Sequence, residues 1–553
     1  MHGRTLVALT LAGCAATPQV SRPRCASPEA FAESLARSAN EEDARALAAF
    51  AKGARSGHPR MAKAAIEFAE KCTLPEVLEL TRDLVAFPTI GLPSNNPAFA
   101  RMGAFLEARA ARSGFQFRRF GKDDVFELVL GTGDPVLGFV MHGDVVAVKD
   151  WATTSTMATF RSPDWTHPPF RAELSDRKLY GRGSEDDKGP IAAAIVALET
   201  MAAFGLAPRG EIRVIVGNGE ESDWDAMVEY ARGGRAHPRH MISVDASFPV
   251  VVSESGFVDF GLIFSSPTKE RSKAVVARAE AGEFLTQVPG SGVVELVPAP
   301  NETLASLEAR ARLASESCAQ AIGGAPFRAE VSSSSDRVVV KAFGDAVHSS
   351  VAEDGRNAMW LLADIAAKLD VEADAAGQAL RVVHERFVGD HHGHKLGVFY
   401  THPSMGDLLV SPTMLRTAPG SASLRVNMRR PAGRSSDEFR AQLATALTRL
   451  RAIAPTVELA EDSWVGEPAI ADTSGELVPT LLEIFRRRAH DPGARGISIR
   501  GGTFARLFPG AVSFGPSLPG RPYRGHAPDE YIELDALELM VPALLEASLA
   551  LAR

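Results

Sequence analysis

Two histidines and three carboxylates, His142, Asp186, Glu221, Asp245 and His526, are the side chains best suited to chemistry in this sequence, and each sits in a short motif. Imidazole mixed with carboxylate suits a borderline divalent ion such as zinc. A carboxylate shared between two ions holds them roughly 3.5–4 Å apart, the arrangement of a two-metal hydrolase that activates water and polarises a carbonyl. Glu220 precedes Glu221 in Gly219-Glu220-Glu221-Ser222. Successive residues of a strand or turn point in different directions, so one of the pair can bind metal while the other moves a proton. Singly these motifs are weak: an isolated Asp-Asp-Lys-Gly is usually a solvated turn, and an isolated Glu-Glu pair is usually surface charge.

The elements that must position these groups are visible around them. Residues 136–141, 212–216 and 241–244 are apolar runs that read as strands, ending at His142, at the Gly217-Asn218-Gly219-Glu220-Glu221 turn and at Asp245. Asp186 is followed by Gly189-Pro190, a suitable helix entry, and by an apolar helical stretch over residues 191–204. In an α/β sheet functional groups gather at the carboxyl ends of strands. The motifs are therefore expected to converge on one edge of an α/β sheet.

Five stretches carry a resemblance: His142-Gly143-Asp144-Val145-Val146, Gly181-Arg182-Gly183-Ser184-Glu185-Asp186-Asp187-Lys188-Gly189-Pro190, Glu220-Glu221-Ser222, Asp245-Ala246-Ser247-Phe248-Pro249 and His526-Ala527-Pro528-Asp529-Glu530-Tyr531. In this order they resemble the di-zinc family of aminoacylases, carnosinases and bacterial dipeptidases, and within it the dipeptidase V branch, which is Xaa-His dipeptidase-like. The match runs from about residue 75 to the C-terminus. As a set the motifs are specific where each alone is not.

The resemblance implies two zinc ions, with cobalt or manganese as substitutes in vitro. His142 and Asp245 would hold one ion, Glu221 and His526 the other, and Asp186 would bridge them. Glu220 takes the place of the general base, and Asp144 that of the carboxylate orienting the His142 imidazole. The family also has a cis peptide after the bridging aspartate, here Asp186-Asp187. His348, in Gly344-Asp345-Ala346-Val347-His348, resembles the histidine that stabilises the oxyanion, and Arg429, in Asn427-Met428-Arg429-Arg430-Pro431, the arginine that holds the substrate carboxylate. Gly502 and Thr503, in Gly501-Gly502-Thr503-Phe504, resemble a glycine-rich substrate loop, although a plain turn after a strand reads equally well.

The activity so implied is a metallopeptidase's, cleaving dipeptides or short peptides. An N-acyl amino acid amidohydrolase or a carboxypeptidase of the same family is the alternative, and a peptide-binding lipoprotein without catalysis is a third. Two departures from the family pattern stand out. Ala147 replaces a proline, and Thr286-Gln287-Val288-Pro289 lacks a customary asparagine, which puts one substrate-carboxylate contact in doubt.

At 553 residues the chain exceeds one ordinary core. The expected organisation is a signal and linker over 1–27, a helical segment over 28–73 and a catalytic domain over 74–256. An inserted α+β lid follows over 257–463, and the catalytic domain resumes over 464–553 as a mixed sheet flanked by helices. Within the lid, residues 357–363 read as helix and 423–427 as strand. A lid large enough to serve its own site favours a monomer. The net charge of −8 offers no footprint for nucleic acid, and no apolar run reaches the roughly 18 residues of a membrane span.

The start of the chain differs from the rest. Arg4 precedes an apolar stretch ending in Leu11-Ala12-Gly13-Cys14, which resembles the lipoprotein cleavage box, in which the cysteine is lipidated. That implies an enzyme tethered in the cell envelope, with membrane contact only through Cys14; a cytoplasmic protein with an unstructured leader is the other reading. Cys25 and Cys72 could bridge in an oxidising compartment or stay free thiols, and Cys318 reads as a small packed side chain. The His391-His392-Gly393-His394 tract has no carboxylate or cysteine spacing that defines a metal site and reads as a solvated loop.

Overall fold

The structure is a computed structural model that describes Cys25 and residues 27–54, 58–149, 151, 162, 164–267, 271–321 and 327–552. The proposed lipidation site Cys14 lies outside the described residues. Two compact units divide the chain: Met1–Val250, Gly475–Arg495 and Ser513–Arg553 form the first, and Val251–Ser474 with Gly496–Val512 the second.

The first unit is built on strands β1 (Gln116–Phe120), β2 (Val125–Leu130), β3 (Pro135–His142), β6 (Glu211–Gly217) and β7 (His240–Ser243), in the order β1-β2-β6-β3-β7. A small separate ribbon pairs β4 (Glu173–Ser175) with β5 (Lys178–Tyr180). β1 pairs with β2 and β2 with β6 antiparallel, whereas β3 is parallel to both β6 and β7. In this register His142 lies beside Gly217, and Val140 beside Ser243. The parallel strands therefore end together. Their residues are buried almost without alternation, as expected of strands covered on both faces.

Helix α6 (Gly189–Ala203) is apolar around its whole circumference and is accordingly buried over Ile191–Leu198. It packs against β3, β6, α4 (Leu74–Val85), which α5 (Ala98–Ser113) follows in the chain, and the C-terminal helix Leu534–Leu551. The expected 28–73 segment is three helices, α1 (Pro28–Ala36), α2 (Glu41–Ala51) and α3 (Pro59–Cys72), with Ser27 and Asn40 capping the first two. A disulfide joins Cys25 to Cys72, which resolves the choice the sequence left open. Phe50 stacks on Phe204 at the end of α6, and Phe68 meets Phe204 and Phe31 edge-on, so this segment shares the first unit's core.

The second unit is an antiparallel sheet covered by helices. Its strands follow the order Arg328–Ser334, Arg337–Phe343, Ser291–Val297, Val275–Ala281, Leu409–Ala418, Ser421–Arg430, Gly256–Ser265 and Glu458–Leu459. Ala358–Leu369, capped by Asn357, and Ala375–Arg386 pack on it. Cys318 is buried in this core.

The unit's limits differ from the 257–463 expected of the lid. Val251 already belongs to it, and so do residues 464–474 and 496–512, which the sequence reading assigned to the catalytic domain. Two short strands lie in these stretches, Ala469–Ile470 and Gly496–Ile499, and both pair with the strand Val250–Glu254. Among the described residues no helix is long and apolar enough to cross a membrane.

Candidate metal centre

The three parallel strand ends deliver the first ligands. His142 is the last residue of β3, Glu220 and Glu221 lie just beyond β6, and Asp245 lies two residues beyond β7. Asp186 comes from a wide turn, Ser184–Lys188, ahead of α6, and His526 from the loop before the strand Tyr531–Glu533, which pairs with β5. All five residues named from sequence come together. Asp186 Oδ1 lies 2.7 Å from His142 Nε2, and Asp186 Oδ2 lies 3.1 Å from His526 Nε2. Asp245 Oδ1 is 3.7 Å from His142 Nε2, and Glu221 Oε1 is 2.8 Å from His526 Nε2. One carboxylate thus faces two histidines, each with a further carboxylate beside it. Glu220 falls in a group with His142 and Glu221.

The electrostatics call for a cation. Burial pushes Asp245 up to about 7, with Asp186 and Glu221 adding to the rise against the pull of His142. Burial, followed by the charge of Asp245, holds Glu220 well above the usual carboxylate range. Asp186 goes the other way: burial would raise it, but the His142 and His526 imidazoles outweigh that and hold it well below. Each histidine is in turn held well above its ordinary value against the effect of burial, His142 by Asp245 first and His526 by Glu221 first. Asp187 is fully buried, and its Oδ1 has no hydrogen-bond partner among the described residues. Clustered carboxylates with two imidazoles form an oxygen and nitrogen donor set for a divalent metal, and the residues present fit one.

Asp144 meets the His142 ring with both its main chain and its side chain. The His142 ring is met at Nδ1 by the main-chain oxygen of Asp144, 3.0 Å away, with the carboxylate at 3.5 Å. That carboxylate also accepts the main-chain N–H groups of Glu220 (3.1 Å) and Glu221 (2.9 Å). The turn after β6 reaches back over the end of β3, so one carboxylate serves both the turn and the ring.

Two further buried carboxylates grip the ligand loops, and the sequence reading gave neither a role. Glu530 accepts the N–H groups of Gly183, Glu185 and Asp186 and pairs with Arg182. Glu185 accepts those of Arg524 (2.7 Å) and Gly525 (3.2 Å), together with the Ser517 hydroxyl (3.0 Å). Burial lifts Glu185 to about 8. Both stand inside the quoted motifs, but nothing in a sequence separates a buried carboxylate from a solvated one. Tyr523 was also missed; its hydroxyl lies 2.5 Å from Asp186 Oδ2. The Asp186-Asp187 peptide is cis.

His348, Arg429, Gly502 and Thr503 belong to the second unit. The structure brings the first two together: Arg429 Nη2 donates to Ser349 Oγ at 2.9 Å and lies 3.5 Å from His348 Nε2, while Arg429 Nε donates to Asn427. The guanidinium also sits over the Phe257 ring, 5.1 Å from its centre. Thr503, next to Gly502, is buried and donates from its N–H and hydroxyl to the Glu254 carboxylate. Its hydroxyl also caps the short helix Phe504–Leu507, which is more than a plain turn. The histidine tract is partly packed: His392 contacts the Leu408 carbonyl and Glu353, His394 stacks on Phe399, and His391 lies against Trp360.

A family model described as peptidase family M20/M25/M40 matches residues 138–549. The chain is 30% identical over 415 residues to YtjP of Bacillus subtilis (strain 168), covering 74% of this chain and 81% of that protein. It is 28% identical over 444 residues to the β-Ala-Xaa dipeptidase of Lactobacillus delbrueckii subsp. lactis, covering 79% and 86%. Among solved structures, the dipeptidase Dug1p of Saccharomyces cerevisiae aligns with a TM-score of 0.51 at 12% identity, over 88% of this chain and 98% of that one. Human carnosine dipeptidase 1 aligns with a TM-score of 0.50 at 13% identity, over 88% and 100%. At such identities the likeness is one of fold.

Proposed function

Because this chain belongs to peptidase family M20/M25/M40, we propose that its first unit is the centre of a metal-dependent dipeptidase. The observation that carries the reading is Asp186, whose two carboxylate oxygens each face a different histidine. His142, Asp186 and Asp245 would hold one zinc ion, and Asp186, Glu221 and His526 a second. Bound there, a metal pair lowers the pKa of water and polarises the scissile carbonyl. Glu220 removes the water's proton and delivers it to the leaving amine, a role suited to a carboxyl held above its ordinary range. Asp144 fixes the turn carrying Glu220 and Glu221. For His348 the motif resemblance supports a donor to an oxyanion, for Arg429 a partner of a peptide carboxylate, and for Gly502 and Thr503 a substrate loop.

Hydrolysis of a dipeptide panel beside N-acetyl amino acids, with metal-stripped and reloaded protein and with Glu220→Ala, tests this. Metal-dependent cleavage of dipeptides that is lost in the variant is expected. Cleavage of acylated substrates alone, or tight peptide binding without turnover, would overturn the dipeptidase reading.

We also propose that the enzyme works in an oxidising compartment of the cell envelope as a monomer tethered through Cys14. The support is the Cys25–Cys72 bond, since disulfides persist where thiols are not kept reduced. Membrane-fraction association that survives Cys14→Ser would sink the tether, and a dimer mass in solution would sink the monomer.

A further inference from the structure

Tyr523 is the side chain of the centre that no motif accounts for. The residue is about half exposed, 49% by area, so packing is a poor reason for its placement. The hydroxyl nevertheless reaches inward to Asp186 Oδ2 at 2.5 Å, the same oxygen that faces His526. The ring lies edge-on to the His526 imidazole, with 6.2 Å between centres. One residue therefore meets the shared carboxylate with its polar end and a histidine ligand with its ring.

The local backbone is arranged for this reach. Glu185 pins the amides of Arg524 and Gly525, which fixes the loop between Tyr523 and His526. The tyrosine then folds back across Gly525, where a Cβ would overlap its hydroxyl and ring. Gly525 leaves the gap through which the phenol reaches Asp186.

We propose that Tyr523 is a positioning residue for the metal pair, holding the Asp186 carboxylate in the rotamer that presents one oxygen to each histidine while its ring sets the His526 plane. The inference rests on the two-ion reading of the site and adds to it a residue outside the ligand set. A carboxylate on a single-bond pivot turns freely unless something fixes it. Groups that orient metal ligands from behind typically change metal affinity 10–100-fold when removed.

The test is a zinc titration of the metal-stripped full chain against a chromophoric chelator, comparing parent, Tyr523→Phe, Gly525→Ala and the double variant. Two-step zinc binding by the parent checks the two-ion reading by itself. Tyr523→Phe, which keeps the ring, is expected to weaken zinc binding about 10–100-fold with an unchanged unfolding midpoint. In kinetics the loss should appear in the zinc concentration needed for half-maximal rate rather than in KM for the dipeptide. Gly525→Ala, which displaces the phenol without deleting it, should cause a similar loss, and the double variant no further one. Parent-like zinc affinity in Tyr523→Phe would overturn the proposal. So would a loss confined to kcat at saturating zinc, which would make the phenol a substrate contact, and so would fully additive losses in the double variant.

Discussion

Replacing Asp144 by asparagine probes the frame of the centre while leaving every proposed ligand side chain in place. The carboxylate is 1% exposed and accepts two main-chain donors, Glu220 N–H at 3.1 Å on one oxygen and Glu221 N–H at 2.9 Å on the other. A carboxamide in its place can accept at one position only, so one of these buried N–H groups faces a second donor. Leaving a buried donor unsatisfied costs about 1–3 kcal/mol, and a bond to a charged acceptor is worth about 1.5–3 kcal/mol. The turn carrying Glu220 and Glu221 escapes most of that cost by moving. The strain should therefore appear as misplaced ligands rather than as unfolding. A loss of metal affinity of about 10–100-fold corresponds to about 1.4–2.8 kcal/mol, the same size as the hydrogen-bond estimate. The assay is a zinc titration of metal-stripped Asp144→Asn together with kcat/KM for a dipeptide. The weakening is expected on the side of Glu221 and His526, since the His142 ring keeps its contact with the main-chain carbonyl of residue 144. Parent-like affinity and turnover would refute the reasoning. A loss confined to the His142 side would point to the ring-orienting role that the sequence suggested.

Glu220→Gln should bind metal like the parent, measured by elemental analysis, while kcat falls about 10²–10⁴-fold, the usual worth of a proton-transfer group; a metal-deficient variant would instead make Glu220 a ligand. Opening the Cys25–Cys72 bond, which closes a separation of 47 residues, should cost about 4 kcal/mol by chain entropy. Thermal unfolding of Cys25→Ser with and without reductant checks this, and reductant should lower the midpoint of the parent only. Burial holds His391 below its ordinary value of 6.5. Its stabilising effect is therefore present above about pH 6.5 and is lost as pH falls through the lowered folded value, because the unfolded chain takes up the proton first. Melts of His391→Gln should show a shallower loss of stability with acidification than the parent; identical slopes would exclude this histidine as the source.

The sequence was most informative where the physics is local or where a motif constrains several residues at once. Strands β3, β6 and β7 and helix α6 are continuous apolar runs, and the structure has them within a residue or two of where the patterns end. Three of the proposed ligands, His142, Glu221 and Asp245, stand at those strand ends and Asp186 stands ahead of α6, so their convergence was readable. The unit boundaries were not. They run through stretches whose strands, Ala469–Ile470 and Gly496–Ile499, are too short to carry a period. Tyr523 escaped for a related reason: its contact arises from a loop folding back over Gly525, and no spacing rule encodes that.

The grips on the loops also explain why residues so far apart in the chain can form one rigid centre. Asp144 in the first motif holds the Glu220-Glu221 turn, Glu530 in the last motif holds the Asp186 turn, and Glu185 in that turn holds the loop that ends in His526. Three of the ligand segments are thus fixed by a carboxylate belonging to another. Burying such carboxylates is costly, and the rise of Glu185 to about 8 and the raised value of Glu530, both led by burial, are the signs of that cost. Main-chain N–H groups offset it only while every loop keeps its place. Loosening one grip should therefore disturb ligands that the altered residue never touches, and paired substitutions among Asp144, Glu185 and Glu530 should lose less metal affinity than the sum of the single losses. Strict additivity would mean that the three carboxylates act as separate clamps rather than as one interlocked frame.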